Sequence, residues 1–352
     1  MYTKHGGDWA GYLAEYGRPA LDFSANLSPL GMPRPVALAA RRALKQSEAY
    51  PDPLCRALTG AIAAREGVPG EWVLCGGGAA DLIFRLALAA KPAFGLVTAP
   101  AFGEYESALA AAKLPVERYF LKSEKAFQVD EGFLSAIRPG ALVFLCEPNN
   151  PTGLLTPRPL LLRALETCRA RGATLVADEC FLDFLPEGEA LTLRPELAGG
   201  GLVILRSFTK MYAMAGLRLG YCLSSESALL ARMAEAGAPW SVSTPAQAAG
   251  LAALSLPGWP ARVRRAIAPQ RAYLARGLAA RGCRVFPGRA NYLFFKAPLP
   301  DLPARLKEQG VLIRDCSGYP GLGPGYCRAA VRPVAESRAL FRAMDQVLRD
   351  AF

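Results

Sequence analysis

Between about residues 70 and 225, short runs of consecutive apolar residues alternate with longer amphipathic stretches. The runs Trp72–Cys75, Phe94–Thr98, Ala141–Cys146, Ala173–Asp178 and Leu202–Arg206 predict strands buried on both faces. The patterns between them, such as Ala79–Ala90 and Arg158–Arg171, predict helices. Alternation of this kind requires an α/β domain with a largely parallel sheet. Beyond about 245 the pattern changes. A long helical region, Thr244–Arg281, leads to strands near Cys283–Phe286, Asn291–Lys296, Val311–Arg314 and Cys327–Val331, and then to a closing helix, Ala335–Arg349. The expected division is a large domain over residues 46–244 with a mostly parallel central sheet. A smaller α+β domain would be built from 1–45 and 245–352.

A chain of 352 residues, 52% of them apolar, has ample material for a large core. No apolar run is long enough to span a bilayer, so no membrane partner is expected. The N-terminus lacks a signal peptide's apolar stretch. Nine cysteines, an odd number with no Cys-x-x-Cys pair, fit reduced thiols in a cytoplasmic enzyme. One histidine in the whole chain excludes a histidine-rich metal centre, and no metal site is expected. The net charge of +11 comes from arginines dispersed along helices, with no basic block or arm, so nucleic acid is not an expected partner. Solvated helix faces account for most of the excess, and attraction of small anions adds to it.

The chemistry centres on Lys210, directly after the apolar run Gly201–Leu205. A lysine there either snorkels from a strand end or is desolvated toward the neutral amine, a nucleophile toward carbonyl groups. Ser207, Thr209 and Arg218 surround it in sequence and suit a phosphate. A phosphate-bearing aldehyde with those needs is pyridoxal 5′-phosphate, PLP. Between a predicted strand and helix, Cys75-Gly-Gly-Gly-Ala-Ala-Asp81 is an ordinary turn or a phosphate cradle at a helix N-terminus. Glu147-Pro-Asn-Asn-Pro-Thr-Gly153 follows another strand at its carboxyl end, where ligands of such sheets bind; Asn150 could donate to the ring's phenolate oxygen. Asp178 ends a nearly all-apolar run, as a turn former or as an anion facing the pyridine nitrogen. Phe102, after the run 94–98, is either core or a stacking platform.

In this order the segments resemble the fold-type I, aspartate-aminotransferase-like family of PLP enzymes over nearly the whole chain. The resemblance implies Lys210 as the covalent anchor, Asp178 at the pyridine nitrogen, and Asn150 at the ring hydroxyl. It implies Gly78, Ala79, Ser207, Thr209 and Arg218 on the cofactor phosphate, Phe102 on the ring, and Arg328 on the substrate carboxylate. It also implies a homodimer with shared active sites, Tyr50 reaching the second copy's cofactor phosphate.

Within the family the chain is similar to two closely related groups, histidinol-phosphate aminotransferases and L-threonine-O-3-phosphate decarboxylases of cobalamin biosynthesis. Three segments resemble the decarboxylases: His5-Gly-Gly-Asp8, Asp178–Phe184 with Phe181 in place of a tyrosine, and Ile313–Gly318 followed by Arg328 and Arg332. The resemblance then implies a phosphorylated amino acid as substrate. His5, Asn26 and Arg332 are candidates for its phosphate. Arg314 is left between that role and a structural pairing with Asp315 or Asp301. Gly77 and Ser28 stand where asparagine is common, and Cys180 where alanine is usual. Ser28 is expected near the substrate mouth. Loss of CO₂ and loss of the Cα proton use the same residues, so the reaction depends on how the substrate is oriented.

Overall fold

The computed structural model describes residues 5–351. Its strands are β1 (Leu21–Asp22), β2 (Val73–Gly76), β3 (Phe94–Ala99), β4 (Val116–Phe120), β5 (Ala141–Cys146), β6 (Thr174–Asp178), β7 (Leu202–Ser207), β8 (Gly220–Leu223), β9 (Arg284–Val285), β10 (Tyr292–Lys296), β11 (Val311–Leu312), β12 (Arg314–Asp315) and β13 (Tyr326–Ala330). Seven of them form the main sheet in the order β2-β8-β7-β6-β5-β3-β4. The pairs from β7 through β6, β5 and β3 to β4 are parallel, and β8 runs antiparallel between β7 and β2. Strands β3 and β5 are buried at every position, as their unbroken apolar runs require.

Two strands of this sheet escape the pattern reading. Strand β4, Val-Glu-Arg-Tyr-Phe, lies at the sheet's edge and is partly exposed throughout. Its mixed composition therefore gives no apolar run. Strand β8, Gly-Tyr-Cys-Leu, is the other: it is buried at all four positions but opens on a glycine directly after the Arg218 turn. The expected helix Thr244–Arg281 is two helices, Thr244–Leu254 and Trp259–Ala279, interrupted around Pro257 and Gly258.

The second sheet is antiparallel, in the order β12-β13-β10-β9, and β1 pairs in parallel with β11. The expected strand Val311–Arg314 is split at Ile313: its first half pairs with β1 and its continuation, β12, with β13. One short stretch thereby links the N-terminal segment to the strands carrying Arg314 and Arg328. Among the described residues no helix is long and apolar enough to cross a membrane. All nine cysteines are free.

Candidate active site

Every strand that ends on a candidate group delivers it to the carboxyl edge of the parallel sheet, where the helix macrodipoles and open backbone groups face a ligand. The ends of β3, β5, β6 and β7 lead to Phe102, Asn150, Asp178 and Lys210. These four side chains line one cavity of about 580 Å³ with Gly78, Ala79, Ser207, Thr209, Arg218, Asn26, His5, Arg314 and Arg328.

Lys210 sits on a single helical turn, Phe208–Met211, whose N-cap is Ser207. The Ser207 hydroxyl accepts from the Thr209 amide at 3.2 Å and shares a hydrogen bond with the Thr209 hydroxyl at 2.6 Å. This turns both hydroxyls and the lysine to one side. Burial lowers the Lys210 pKa; Arg328 and Arg218 push the same way, against Cys180 and Asp178.

Asp178 is 4% exposed and holds no cation of its own among the described residues. Its Oδ2 accepts from the Tyr105 hydroxyl at 2.6 Å and its Oδ1 from the Cys180 amide at 3.0 Å. Burial, reinforced by the Asp178 charge, pushes the Tyr105 phenol well above its ordinary pKa, so it stays a donor. Cys180 also lines the cavity, and the same two causes, burial first, push its thiol up, so it is a neutral wall rather than a nucleophile. Tyr105 was not read from the sequence. The only signal was a tyrosine three residues beyond Phe102, at helical spacing.

Gly78 caps the helix Ala79–Ala90 with φ of +101°, and a Cβ there would lie 2.9 Å from Arg218 Nη2. The missing side chain leaves a cradle between helix N-terminus and guanidinium, a fit for a phosphate. Asn150 is buried, and its Oδ1 accepts from Arg328 Nη1, which leaves its amide nitrogen to donate. Its loop is tied back by Glu147, whose carboxyl accepts from the Thr156 amide at 2.8 Å and from the Thr156 hydroxyl. Burial pushes Glu147 up to about 8. An amine, a carboxylate, an amide donor and a phosphate cradle around one cavity are the complement of PLP's aldehyde, ring nitrogen, ring hydroxyl and phosphate.

Arg328 lies on β13, 5% exposed. Its Nη2 donates to the Ser24 carbonyl at 2.8 Å, its Nη1 to Asn150, and its Nε is buried without a partner. Among the described residues no carboxylate pairs with it. A buried guanidinium held only by neutral acceptors is built to receive an anion. Directly across the strand pair stands Arg314, which lines the same cavity beside the Tyr319 ring, 5.5 Å from its centroid.

Several expected groups lie elsewhere. Arg332 is not in the cavity lining; its Nε pairs with Glu336 at 2.8 Å. Strand β13 ends at Ala330, and Arg332 turns onto the first turn of the helix Val334–Arg349, four residues from that glutamate. Asp301, one of the two carboxylates weighed for Arg314, takes Arg305 at 2.8 Å. Ser28 does not line the cavity: it is 1% exposed, its amide donating to the Lys210 carbonyl at 3.0 Å. Tyr50 is also outside the lining, 79% exposed and stacked on Trp240 at 4.4 Å. Asn26 is buried in the lining with its Oδ1 unpartnered. His5 contacts Glu104 at 2.6 Å over the cavity.

Tyr105→Phe removes one of the two donors to Asp178 without changing shape. It should weaken PLP binding about 10-fold, the scale of a hydrogen bond to a charged group. Equilibrium dialysis of the cofactor measures this; unchanged affinity would show that Asp178 needs no such support.

Aminotransferase class I and II is the family description that matches, over residues 18–345. The chain is 39% identical to the threonine-phosphate decarboxylase of Salmonella typhimurium, over 93% of this chain and 91% of that protein. It is 33% identical to a histidinol-phosphate aminotransferase of Nitratidesulfovibrio vulgaris, over 84% of this chain and 79% of the relative. Among solved structures, the L-threonine-O-3-phosphate decarboxylase of Porphyromonas gingivalis superposes with a TM-score of 0.81 at 25% identity, covering 93% of this chain and 99% of that one.

Proposed function

This chain belongs to the class I and II aminotransferase family of PLP enzymes, and we propose that it decarboxylates L-threonine O-3-phosphate to (R)-1-amino-2-propanol O-2-phosphate in cobalamin biosynthesis. The observation that carries this reading is the pair of arginines, Arg328 and Arg314, opposed across β13 and β12 and lining one cavity. Arg328 is a buried guanidinium that only neutral acceptors hold, and a phosphorylated amino acid offers a carboxylate to it and a phosphate to the Arg314 side of the same cavity.

Bound in the cavity, PLP supplies an electron-poor ring that takes up the electron pair of a bond broken at the substrate's Cα. The chain's own groups do the rest. Lys210, its pKa lowered by burial, would anchor the aldehyde and is the group placed to hold a proton beside Cα. Asp178, fixed by Tyr105 and Cys180, presents a carboxylate to the ring nitrogen. Gly78, Ala79, Ser207, Thr209 and Arg218 take the cofactor phosphate, Asn150 the ring hydroxyl, and Phe102 a ring face. Arg328 takes the substrate carboxylate in its fork. Arg314, in place of Arg332, joins His5 and Asn26 on the substrate phosphate.

The reading extends to the assembly. A homodimer is supported by exposed apolar side chains at Leu44, Tyr50, Leu54 and Trp240, and in such a dimer Tyr50 would be free to reach the second copy's cofactor phosphate. Division into 46–244 and 1–45 with 245–352 is supported by the β1–β11 pairing. Nine free thiols support residence in the cytoplasm.

A histidinol-phosphate aminotransferase is the second reading, supported by the 33% identical relative. One experiment separates the two. The PLP-loaded protein is mixed with L-threonine O-3-phosphate in a single turnover, and CO₂ and the cofactor spectrum are followed. Stoichiometric CO₂ with PLP retained is expected. No CO₂, together with conversion of the cofactor to its amine form by glutamate or histidinol phosphate, would overturn the decarboxylase reading. Arg314→Gln should raise KM for the phosphorylated substrate about 10-fold, the scale of one hydrogen bond to a charged group at a half-buried site, with a smaller change in kcat.

A further inference from the structure

The N-terminal strap, residues 5–8, forms part of the walls of two adjoining cavities, the site cavity of about 580 Å³ and an outer cleft of about 980 Å³. It is held at three points. His5 Nε2 meets Glu104 Oε1 at 2.6 Å. The Gly7 amide donates to the Ser24 hydroxyl at 2.7 Å. Asp8 caps the helix Trp9–Tyr16 by accepting from the Gly11 amide at 3.0 Å.

Ser24 is the centre of this arrangement. Its hydroxyl, besides accepting from Gly7, donates to Asp22 Oδ1 at 2.6 Å, and its amide donates to the same oxygen at 2.7 Å. Its carbonyl accepts from Arg328 Nη2 at 2.8 Å. The strap rests on that same carbonyl, since a Cβ on Gly6 would lie 2.2 Å from the Ser24 oxygen and 2.6 Å from its carbon. Ser24 is 5% exposed, so neither oxygen has water to fall back on. One peptide therefore carries the strap on one side and the proposed carboxylate-binding arginine on the other.

We infer that Ser24 is a positioning residue which couples the strap to Arg328, so that the strap is tightest when a carboxylate occupies that arginine and loosens when the carboxylate is gone. The inference rests on the proposed role of Arg328. Two groups that share a support must either fit it together or compete for it. A carboxylate that draws the guanidinium into one orientation fixes the Ser24 carbonyl, and with it the floor under Gly6. Reciprocity then requires that strap closure tighten carboxylate binding by the same factor. In a decarboxylase the consequence is directional: both substrate and product carry the phosphate proposed for His5, but only the substrate carries the carboxylate, so the strap closes more tightly on the substrate than on the product.

The test uses the full-length, PLP-loaded protein and amide hydrogen exchange at Gly7. The first arm needs no ligand. Arg328→Ala and Ser24→Ala should each speed Gly7 exchange about 10-fold, and Ser24→Thr, which keeps the hydroxyl, should restore it. Gly7 exchange within 2-fold of wild type in Arg328→Ala would overturn the coupling.

The second arm compares two unreactive phosphates lacking the amine: 2-hydroxy-3-phosphonooxybutanoate, which has the carboxylate, and propane-1,2-diol 2-phosphate, which does not. Both compounds offer a phosphate to His5, and the hydroxy acid should slow Gly7 exchange about 10-fold more than the diol phosphate does. Ser24→Ala should weaken the hydroxy acid about 10-fold more than it weakens the diol phosphate. Equal effects of the two compounds would overturn the inference. If wild type binds neither compound while the first arm holds, the substrate assignment has failed and the coupling stands.

Discussion

Lys210→Ala is expected to lower the rate of CO₂ release by about 10⁴-fold, the upper end of what a positioned acid–base group contributes, and to remove covalent attachment of PLP altogether. The amine lines the cavity on a one-turn helix, and burial keeps its pKa below the ordinary lysine value. Borohydride reduction followed by peptide mass analysis should find the cofactor on the Lys210 peptide of wild type and on no peptide of the variant. Cofactor fixed at wild-type stoichiometry on another lysine would sink the assignment. A second readout follows from linkage in the cofactor-free protein. With the folded pKa lowered, the unfolded chain binds a proton that the folded chain does not, in the window between the folded value and the ordinary 10.5. Stability should therefore rise with pH through that window, and Lys210→Met should flatten the rise.

Arg328→Gln is expected to cost roughly 30- to 5000-fold in kcat/KM, the range for losing one partner of a desolvated charge contact, with most of the loss in KM. Lysine should not rescue it. The guanidinium reaches Asn150 and the Ser24 carbonyl with two nitrogens while keeping Nε for the ligand, a fork that a single ammonium cannot reproduce. Affinity for the amine product, which has no carboxylate, should fall at least about 10-fold less than affinity for the substrate, since the product loses only the strap's support and not the carboxylate contact. An equal loss for product and substrate would mean that Arg328 supports the cavity instead of gripping the carboxylate.

How much of this site the sequence carries depends on where each residue lies. Asp178 and Lys210 were legible because a polar group at the end of an unbroken apolar strand has few places to go except the sheet's carboxyl edge. Phe102 and Asn150 were legible for the same reason, each following a predicted strand within a short loop. Tyr105 was not: it acts on Asp178 from a neighbouring helix, 73 positions away in the chain. Arg332, which the resemblance implied for the substrate phosphate, lies outside the cavity because strand β13 ends at Ala330, before reaching it. Arg314 faces the cavity because β12 pairs with β13 in a register no local pattern reveals.

Apolar runs, their alternation with helices, and the residues at their ends determined the α/β class, the large sheet and the groups meeting at its edge. Those features depend on periods of a few residues, and burial of both sheet faces enforces them. Tertiary structure alone decided which arginine joins Arg328, what steadies Asp178, and that the strap and Arg328 share the Ser24 peptide. Each of these is a contact between segments far apart in the chain, set by strand register and close backbone approach, and local composition carries no record of either.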